Sequence, residues 1–415
     1  MLNSIFIIIY SLVAFYFVLK RRPFDVLTLL AASSLYYYSP ALFSEIEFFG
    51  YKNAIMSETY ILYIVYFFLL LFSAVVFDLS VVNKRIELNK PIKNVNTSVK
   101  FITVLTIICF SVGVYSILDT ILLVDKTLLA GQNTFLYGMS LFLAVSGLCL
   151  AMVNNNKFII VLFFCIILFS VYVGGRATFV FGVLSIILIK LRGNTKRITA
   201  HYKIILFVFV VVASLVVYKT IYKHIKSEDL DSVFSVLQYT DLSRYIILVF
   251  TDPLAVVSNT NTVFLHDIQV EPGYLIHRLS SIIPGLNNIV ESFLSSDYAV
   301  FNHLLKDAYD MDGGPGSSFL AELYVMAGWG GYVLFLFLYF FMVCFYNYRF
   351  LFQLNLGVLI WLPCVVMLTF YIHRLELLSI FGGIKSYALI YAVFFLYLML
   401  LRPNKKVYCK AYTKL

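Results

Sequence analysis

Charge is scarce in this chain: Asp, Glu, Lys and Arg together make up 13 % of its 415 residues. A soluble domain carries about 25 %, so a water-facing enzyme is excluded, and so is a disordered, solvating polypeptide. Cysteine is scarce too. Of Cys109, Cys149, Cys165, Cys344, Cys364 and Cys409, five sit inside apolar runs, with no CxxC pair and no Cys/His cluster. That excludes a disulfide-stapled secreted module and predicts no structural metal site. The first apolar run lacks a preceding cation and a small-residue cleavage site, so it is expected to stay as a membrane segment rather than leave as a signal peptide. Nor is there an internal repeat of the kind transporters often carry.

What is abundant is apolar: 61 % of the residues are hydrophobic and 18 % aromatic. A membrane crossing needs about 20 mostly apolar residues. Candidate spans lie near 2–19, 24–43, 59–79, 101–123, 135–153, 158–173, 177–190, 204–218, 318–345, 351–370 and 377–401. The prediction is an all-α polytopic membrane protein with about eleven or twelve transmembrane helices. The spans 158–173 and 177–190, joined by Gly174-Gly175-Arg176, read as a tight helical hairpin. The run Ile246–Val257, broken by Asp252-Pro253, reads as a re-entrant or interfacial piece too short to cross. Tyr36-Tyr37-Tyr38 reads as an aromatic belt.

The net charge of +9 is explained by loop bias. With Lys20-Arg21-Arg22 in the cytoplasm, twenty Lys and Arg fall on that side and ten on the other, Lys385 lying within the last span. Of the 22 acids only Asp25, Asp78 and Glu87 fall on the cytoplasmic side. This is the positive-inside pattern; it places the N-terminus outside and the C-terminus inside, and no nucleic-acid partner is expected. The organisation is then residues 1–218 as helices with short loops, 219–318 as one large outer loop, 319–401 as C-terminal spans and 402–415 as a basic cytoplasmic tail.

A loop of 100 residues is functional or disordered, and the apolar content of 219–318 argues for folding. It holds His224, His266, His277 and His303, twelve acids, and the cations Lys219, Lys223, Lys226, Arg244, Arg278 and Lys306. Residues 228–245 and 287–309 show helical apolar spacing. Turns are marked by Pro272-Gly273, Pro284-Gly285 and Gly313-Gly314-Pro315-Gly316.

Three short tracts carry a family likeness. Gly313 through Tyr324 runs as a Gly/Pro-rich turn, Ser317-Ser318 and an Ala-Glu-x-Tyr step, with Gly328, Gly330 and Gly331 beyond. Val173-Gly174-Gly175-Arg176 sits at an outer helix end, and Tyr274–Gly285 places an Arg before a Pro-Gly turn. Together these resemble bacterial O-antigen polymerases of the Wzy type. The resemblance implies a GT-C-like, metal-independent glycosyltransferase without a cofactor. Such an enzyme joins undecaprenyl-pyrophosphate-linked oligosaccharide repeat units at the periplasmic face of the inner membrane, with lipid pyrophosphate as leaving group. It also implies contact with membrane lipid and a chain-length regulator of the polysaccharide co-polymerase type.

The chemistry asks for guanidinium groups on the pyrophosphate and a base near the acceptor hydroxyl. Four arginines are candidates for the first role. Arg176 follows two glycines, which let a ligand approach the backbone; the plain alternative is an interfacial anchor. Arg244 and Arg278 stand in the loop, where a solvated surface arginine is the plain alternative. Arg374 clusters with His373 and Glu376 between two apolar spans, and charge at a membrane edge is functional by default. For catalysis the candidates are His303, Glu322 and His373. His303 could equally be a polar loop histidine, and Glu322 a capping acid after Ser318. Ser317 and Ser318 are caps rather than nucleophiles, since no Asp/His partner is placed for them.

O-antigen ligase, which transfers the glycan to lipid A-core, is the nearest alternative. Ligases carry a His at similar distance before a Gly-rich turn, followed by an Asn-like neighbour and two threonines; this chain has Leu304 and Ser317-Ser318 instead. A lipid-linked oligosaccharide flippase is less favoured, because such carriers have short loops on both faces and two related halves.

Overall fold

The computed structural model describes residues 1–20, 22–48, 50–84, 86, 92–118, 134–173, 175–194, 242–271, 273–283, 286–293, 301–309 and 316–400, with scattered positions between 200 and 218. The first helices are α1 (Leu2–Leu19), α2 (Val26–Tyr37), α3 (Ser57–Val81), α4 (Val95–Ser116) and α5 (Phe135–Val153). Next come α6 (Lys157–Tyr172), α7 (Ala177–Leu191) and α8 (Leu242–Leu265), then the short α9 (Gly273–Ser280), α10 (Leu286–Phe293) and α11 (Phe301–Ala308). The last three are α12 (Phe319–Phe352), α13 (Leu356–Val366) and α14 (Leu377–Leu400). Among the described residues, seven stretches have the length and hydropathy to cross a membrane: α1, α3, α4, α5, α12, α14, and α13 extended to Arg374. Helices α2, α6 and α7 are shorter and apolar. The chain is thus an all-α polytopic membrane protein. Of the expected span 204–218, residues 205, 208, 209, 212, 213, 216 and 217 lie outside the described residues.

Local chemistry sets several boundaries. Helix α2 starts at Asp25, whose carboxylate accepts the Thr28 N–H at 2.9 Å, and α13 starts at Asn355, which accepts the Val358 N–H at 3.0 Å. Such caps satisfy amide donors that have no partner within the helix. Helix α12 is long because two helices meet at Gly328, whose backbone (φ 60, ψ −170) is not helical and suits a residue without Cβ. The piece before the kink carries Glu322. The piece after it exposes Phe337, Phe341 and Phe345 on one side and buries Leu336, Phe340 and Val343 on the other, as expected of a span with one face to lipid. Helices α4 and α5 pack closely at Gly113, where a Cβ would lie 2.5 Å from the Tyr137 nitrogen. Close approach through small residues is how helices pair where lipid removes most of the hydrophobic drive.

The long-range contacts sort the loops into two ends. At one end Arg22 and Asp25 meet Asp78 and Asn347, and Arg192 donates to the Phe350 and Leu351 carbonyls at 2.8 and 2.7 Å. At the other end lie α8, α9, α11 and the start of α14, packed on the first turns of α12.

The structure refines or corrects the sequence expectations in four places. The helix α8 runs unbroken through Pro253 for 24 residues instead of stopping at Asp252-Pro253. Its polar stretch Ser258–Thr262 is buried, and several of its groups find partners: Asn261 accepts the Met56 N–H at 2.7 Å, Thr260 meets the Ser318 hydroxyl at 2.8 Å, and Ser258 and Thr262 meet the Tyr309 hydroxyl at 2.7 Å. Second, the described residues of the tract 287–309 are helical in α10 and α11, and 294–300 lie outside the described residues; of the expected helix 228–245, residues 228–241 lie outside them too. Third, an antiparallel hairpin, β1 (Glu45–Phe48) with β2 (Tyr51–Ala54), follows α2 where no strand was expected. Fourth, Tyr37 and Tyr38 turn inward instead of forming a lipid-facing belt: Tyr38 pairs with His373 at 2.9 Å.

Candidate functional site

The end of the bundle that carries α8, α9 and α11 gathers an unusual amount of buried charge. Helix α9 places Tyr274 and Arg278 one turn apart on the same face, as i and i+4 residues stand. The Arg278 guanidinium stacks on the Tyr274 ring, 4.3 Å from its centroid, and donates to the phenol oxygen at 2.9 Å. Tyr274 in turn donates to Glu322 Oε1 at 2.9 Å. Arg278 Nε stands 3.8 Å from the same carboxylate oxygen, both side chains being 1 % exposed. Burial, with the Glu322 carboxylate beside it, pushes the Tyr274 phenol far above its ordinary range, so it stays a neutral bridge between the two charges.

Glu322 has a second duty. Its Oε2 accepts the Leu377 N–H at 2.6 Å, at the first residue of α14. Glu322 therefore does not cap its own helix after Ser318; it satisfies the start of another, where a negative charge meets the positive end of the helix dipole. Ser318 makes no side-chain cap either, its hydroxyl going to Thr260. The turn before α14 thereby comes to Arg278, and it carries Arg374 and Glu376. Arg374 pairs with Asp252 of α8. Its Nε lies 4.0 Å from where a Cβ on Gly316 would stand, beside Asn259. Glu376 is half-buried; it accepts the Asn302 backbone N–H and is held electrostatically by Arg278 and His303. Burial pushes its carboxyl above the ordinary glutamate range, against the pull of those neighbours.

Of the residues singled out from sequence, the structure brings together Arg278, Glu322, Arg374 and His303. His373 sits one residue from Arg374 but points into the bundle. It is fully buried, with Nδ1 on the Tyr38 hydroxyl at 2.9 Å and Nε2 within 3.2 Å of Ser33 and 3.4 Å of Ser34. Arg176 stands apart, at the start of α7, where its guanidinium donates to the Leu215 carbonyl at 3.4 Å. Arg244 belongs to α8, and its side chain lies outside the described residues. Reasoning from sequence missed Tyr274, Asp252 and Asn302. Tyr274 could have been found from its i, i+4 spacing to Arg278; Asp252 was read only as a helix breaker, and nothing local marks Asn302. Among the described residues no group of three or more His, Cys, Asp or Glu converges as a metal site would.

Two guanidinium groups here face three carboxylates, Glu322, Glu376 and Asp252. The arrangement can therefore grip an anion through an arginine that exchanges its carboxylate partner, and it can accept hydrogen bonds from hydroxyl donors.

The chain matches the O-antigen polysaccharide polymerase Wzy family over residues 132–407. That is more than half of its length, it contains Arg278, Glu322, Arg374, Glu376 and His303, and the chain belongs to this family. No curated protein and no solved structure matches it. Family and fold together define a multi-pass membrane glycosyltransferase of the polymerase type, acting in lipopolysaccharide biosynthesis by polymerising O-antigen.

Proposed function

We propose that the protein joins undecaprenyl-pyrophosphate-linked O-antigen repeat units, and that it does so at the Arg278 end of the bundle, facing the periplasm from the inner membrane. A hydroxyl of one repeat unit attacks the anomeric carbon of the other glycan. The bond from that carbon to the pyrophosphate oxygen breaks, and lipid pyrophosphate leaves with the electron pair. The observation that carries this reading is the convergence, at one end, of Arg278 with Tyr274 and Glu322, and of Arg374 with Asp252.

Arg374 is the guanidinium in reach of the leaving group, since its side chain is 25 % exposed and its partner Asp252 31 %. Its planar fork suits two phosphate oxygens at once. Arg278, closed over by Tyr274 and Glu322, orients the turn that bears Arg374 and Glu376 and adds positive potential from behind. Arg176 and Arg244 are assigned to the approach of the pyrophosphate along the outer rim, and His303 and Glu322 to positioning of the acceptor. His373, hydrogen-bonded to Ser33, Ser34 and Tyr38, holds the α13 end against α2. The reaction is proposed to need no metal ion, the arginines supplying the positive charge. A chain-length regulator of the polysaccharide co-polymerase type is its proposed partner.

The loop bias of Lys and Arg supports the orientation, because the Arg278 end falls on the cation-poor side. The family match favours polymerisation over ligation to lipid A-core and over flipping. The test is complementation of a polymerase-deficient strain that retains the cognate repeat-unit genes. A restored ladder of chain lengths on a lipopolysaccharide gel is expected. Core plus one repeat unit would defeat the reading. In vitro, purified protein with the lipid-linked repeat unit should extend it equally with and without a chelator, and loss of extension with the chelator would defeat metal independence.

A further inference from the structure

Two of the three carboxylates in the site have no buried oxygen left without a partner among the described residues. Glu322 receives Tyr274 on one oxygen and the Leu377 N–H on the other, and Asp252 is paired with Arg374. Glu376 is different. Its Oε2 is buried and has no hydrogen-bond partner among the described residues. Next to it, Asn302 gives its backbone N–H to the Glu376 carboxylate, while its own side-chain Oδ1 is also buried without a partner among the described residues. Buried acceptors left unmet are rare and costly. Two of them on touching residues, from α11 and from the turn before α14, call for a ligand that brings donors.

The ligand's chemistry follows from the sign. A pyrophosphate brings acceptors and negative charge, so it would be repelled by Glu376 and would leave Asn302 Oδ1 unmet. A saccharide brings hydroxyl donors. We infer that Glu376 and Asn302 form the subsite for the acceptor sugar, and that Glu376 is the base that takes the proton of the attacking hydroxyl. As the hydroxyl oxygen bonds to the anomeric carbon, its proton passes to Glu376 Oε2, and the electron pair of the breaking bond leaves with the lipid pyrophosphate. Asn302 fixes the sugar through a neighbouring hydroxyl. This assignment rests on the polymerase reading and deepens it.

Among the described residues, three ionisable groups face Glu376: Arg278 from α9, His303 from α11 and Glu322 from α12. The base must be ionised to accept a proton, so activity falls as pH drops through the carboxyl's pKa. Because burial lifts that pKa, the acid limb lies above that of an ordinary glutamate. Glu376→Gln should abolish it.

The experiment uses the full-length protein in nanodiscs with the undecaprenyl-pyrophosphate-linked repeat unit, following chain extension and, separately, binding of undecaprenyl pyrophosphate alone. E376Q is expected to slow extension about 100-fold or more while binding undecaprenyl pyrophosphate as the wild type does. E376A should regain at least part of its rate on addition of formate, a small external carboxylate that a merely structural role would not reward. Asn302→Ala should raise the substrate concentration needed for half-maximal rate with a smaller effect on the maximal rate. The assignment is overturned if folded E376Q extends chains within threefold of wild type, or if E376A gains nothing from formate. If the wild type itself does not extend the substrate, it is the polymerase reading that falls.

Discussion

At the Arg22 end, the carboxylate of Asp25 receives four hydrogen bonds, from the Arg22 guanidinium, the Thr28 N–H, the Thr28 hydroxyl and the Asn347 amide. Asp78 beside it takes the Tyr16 hydroxyl at 2.7 Å, Lys20 at 3.0 Å and Arg22 at 3.5 Å. At the Arg278 end, the residue types are the same, but Glu376 keeps a buried oxygen with no partner among the described residues, and Arg374 is still reachable by solvent. Buried charge of the first kind fixes α1, α2, α3 and α12 to one another, since breaking such a group strands a charge in low dielectric. Buried charge of the second kind is available to a ligand. Charge at a membrane edge is therefore not enough to mark a site; what separates the two ends is the carboxylate lone pairs, taken up at the first, where Arg22 Nε and Nη1 stay buried without a partner among the described residues, and left open on Glu376 at the second.

The comparison breaks if activity and stability do not separate between the two ends. The largest effect is expected from Arg374→Ala, which should cut chain extension by about 100-fold or more with the protein still expressed, read as collapse of the lipopolysaccharide ladder to core plus one repeat unit. Asp25→Ala should act the other way round. It should destabilise the fold by about 3–5 kcal/mol, seen as a lower thermal midpoint, while the rate per folded molecule is kept. Gly113→Ala, at the α4–α5 contact, should cost about 1–3 kcal/mol by forcing the two helices apart, again with normal turnover. Smallest is Lys52→Ala on the exposed hairpin. Its pairing with Glu45 at 2.8 Å leaves the two side chains 66 % and 54 % exposed, and such pairs contribute little. No change in ladder or midpoint should be measurable.

Much of the architecture is legible in the linear pattern. Apolar runs of the right length name the long helices. The hairpin between α6 and α7 follows from Gly174-Gly175-Arg176. Arg278, Glu322 and Arg374 stand out by type and position, since arginines and a glutamate beside apolar runs are costly to keep. Less legible was everything that depends on partners. Pro253 was read as a break because an interior proline removes one hydrogen bond, yet the buried partners of Ser258–Thr262 carry α8 onward. His373 looked like a site residue and stands within a ring of hydroxyls. Glu322, read as a catalytic candidate with capping of its own helix as the plain alternative, caps α14. Asp252, 122 positions before Arg374, could not be assigned to it from spacing.

Composition and hydropathy suffice to dictate a polytopic helical bundle, because a backbone in lipid has to satisfy its own hydrogen bonds and a helix does this within one segment. They also dictate which loops carry the charge. Which charges are quenched and which are left open was decided only when Tyr274, Glu322, Asn302 and Glu376, from four separate stretches, were packed within reach of Arg278. Satisfaction of a buried polar group is a property of its neighbours in space, and the order of residues along the chain does not encode it locally.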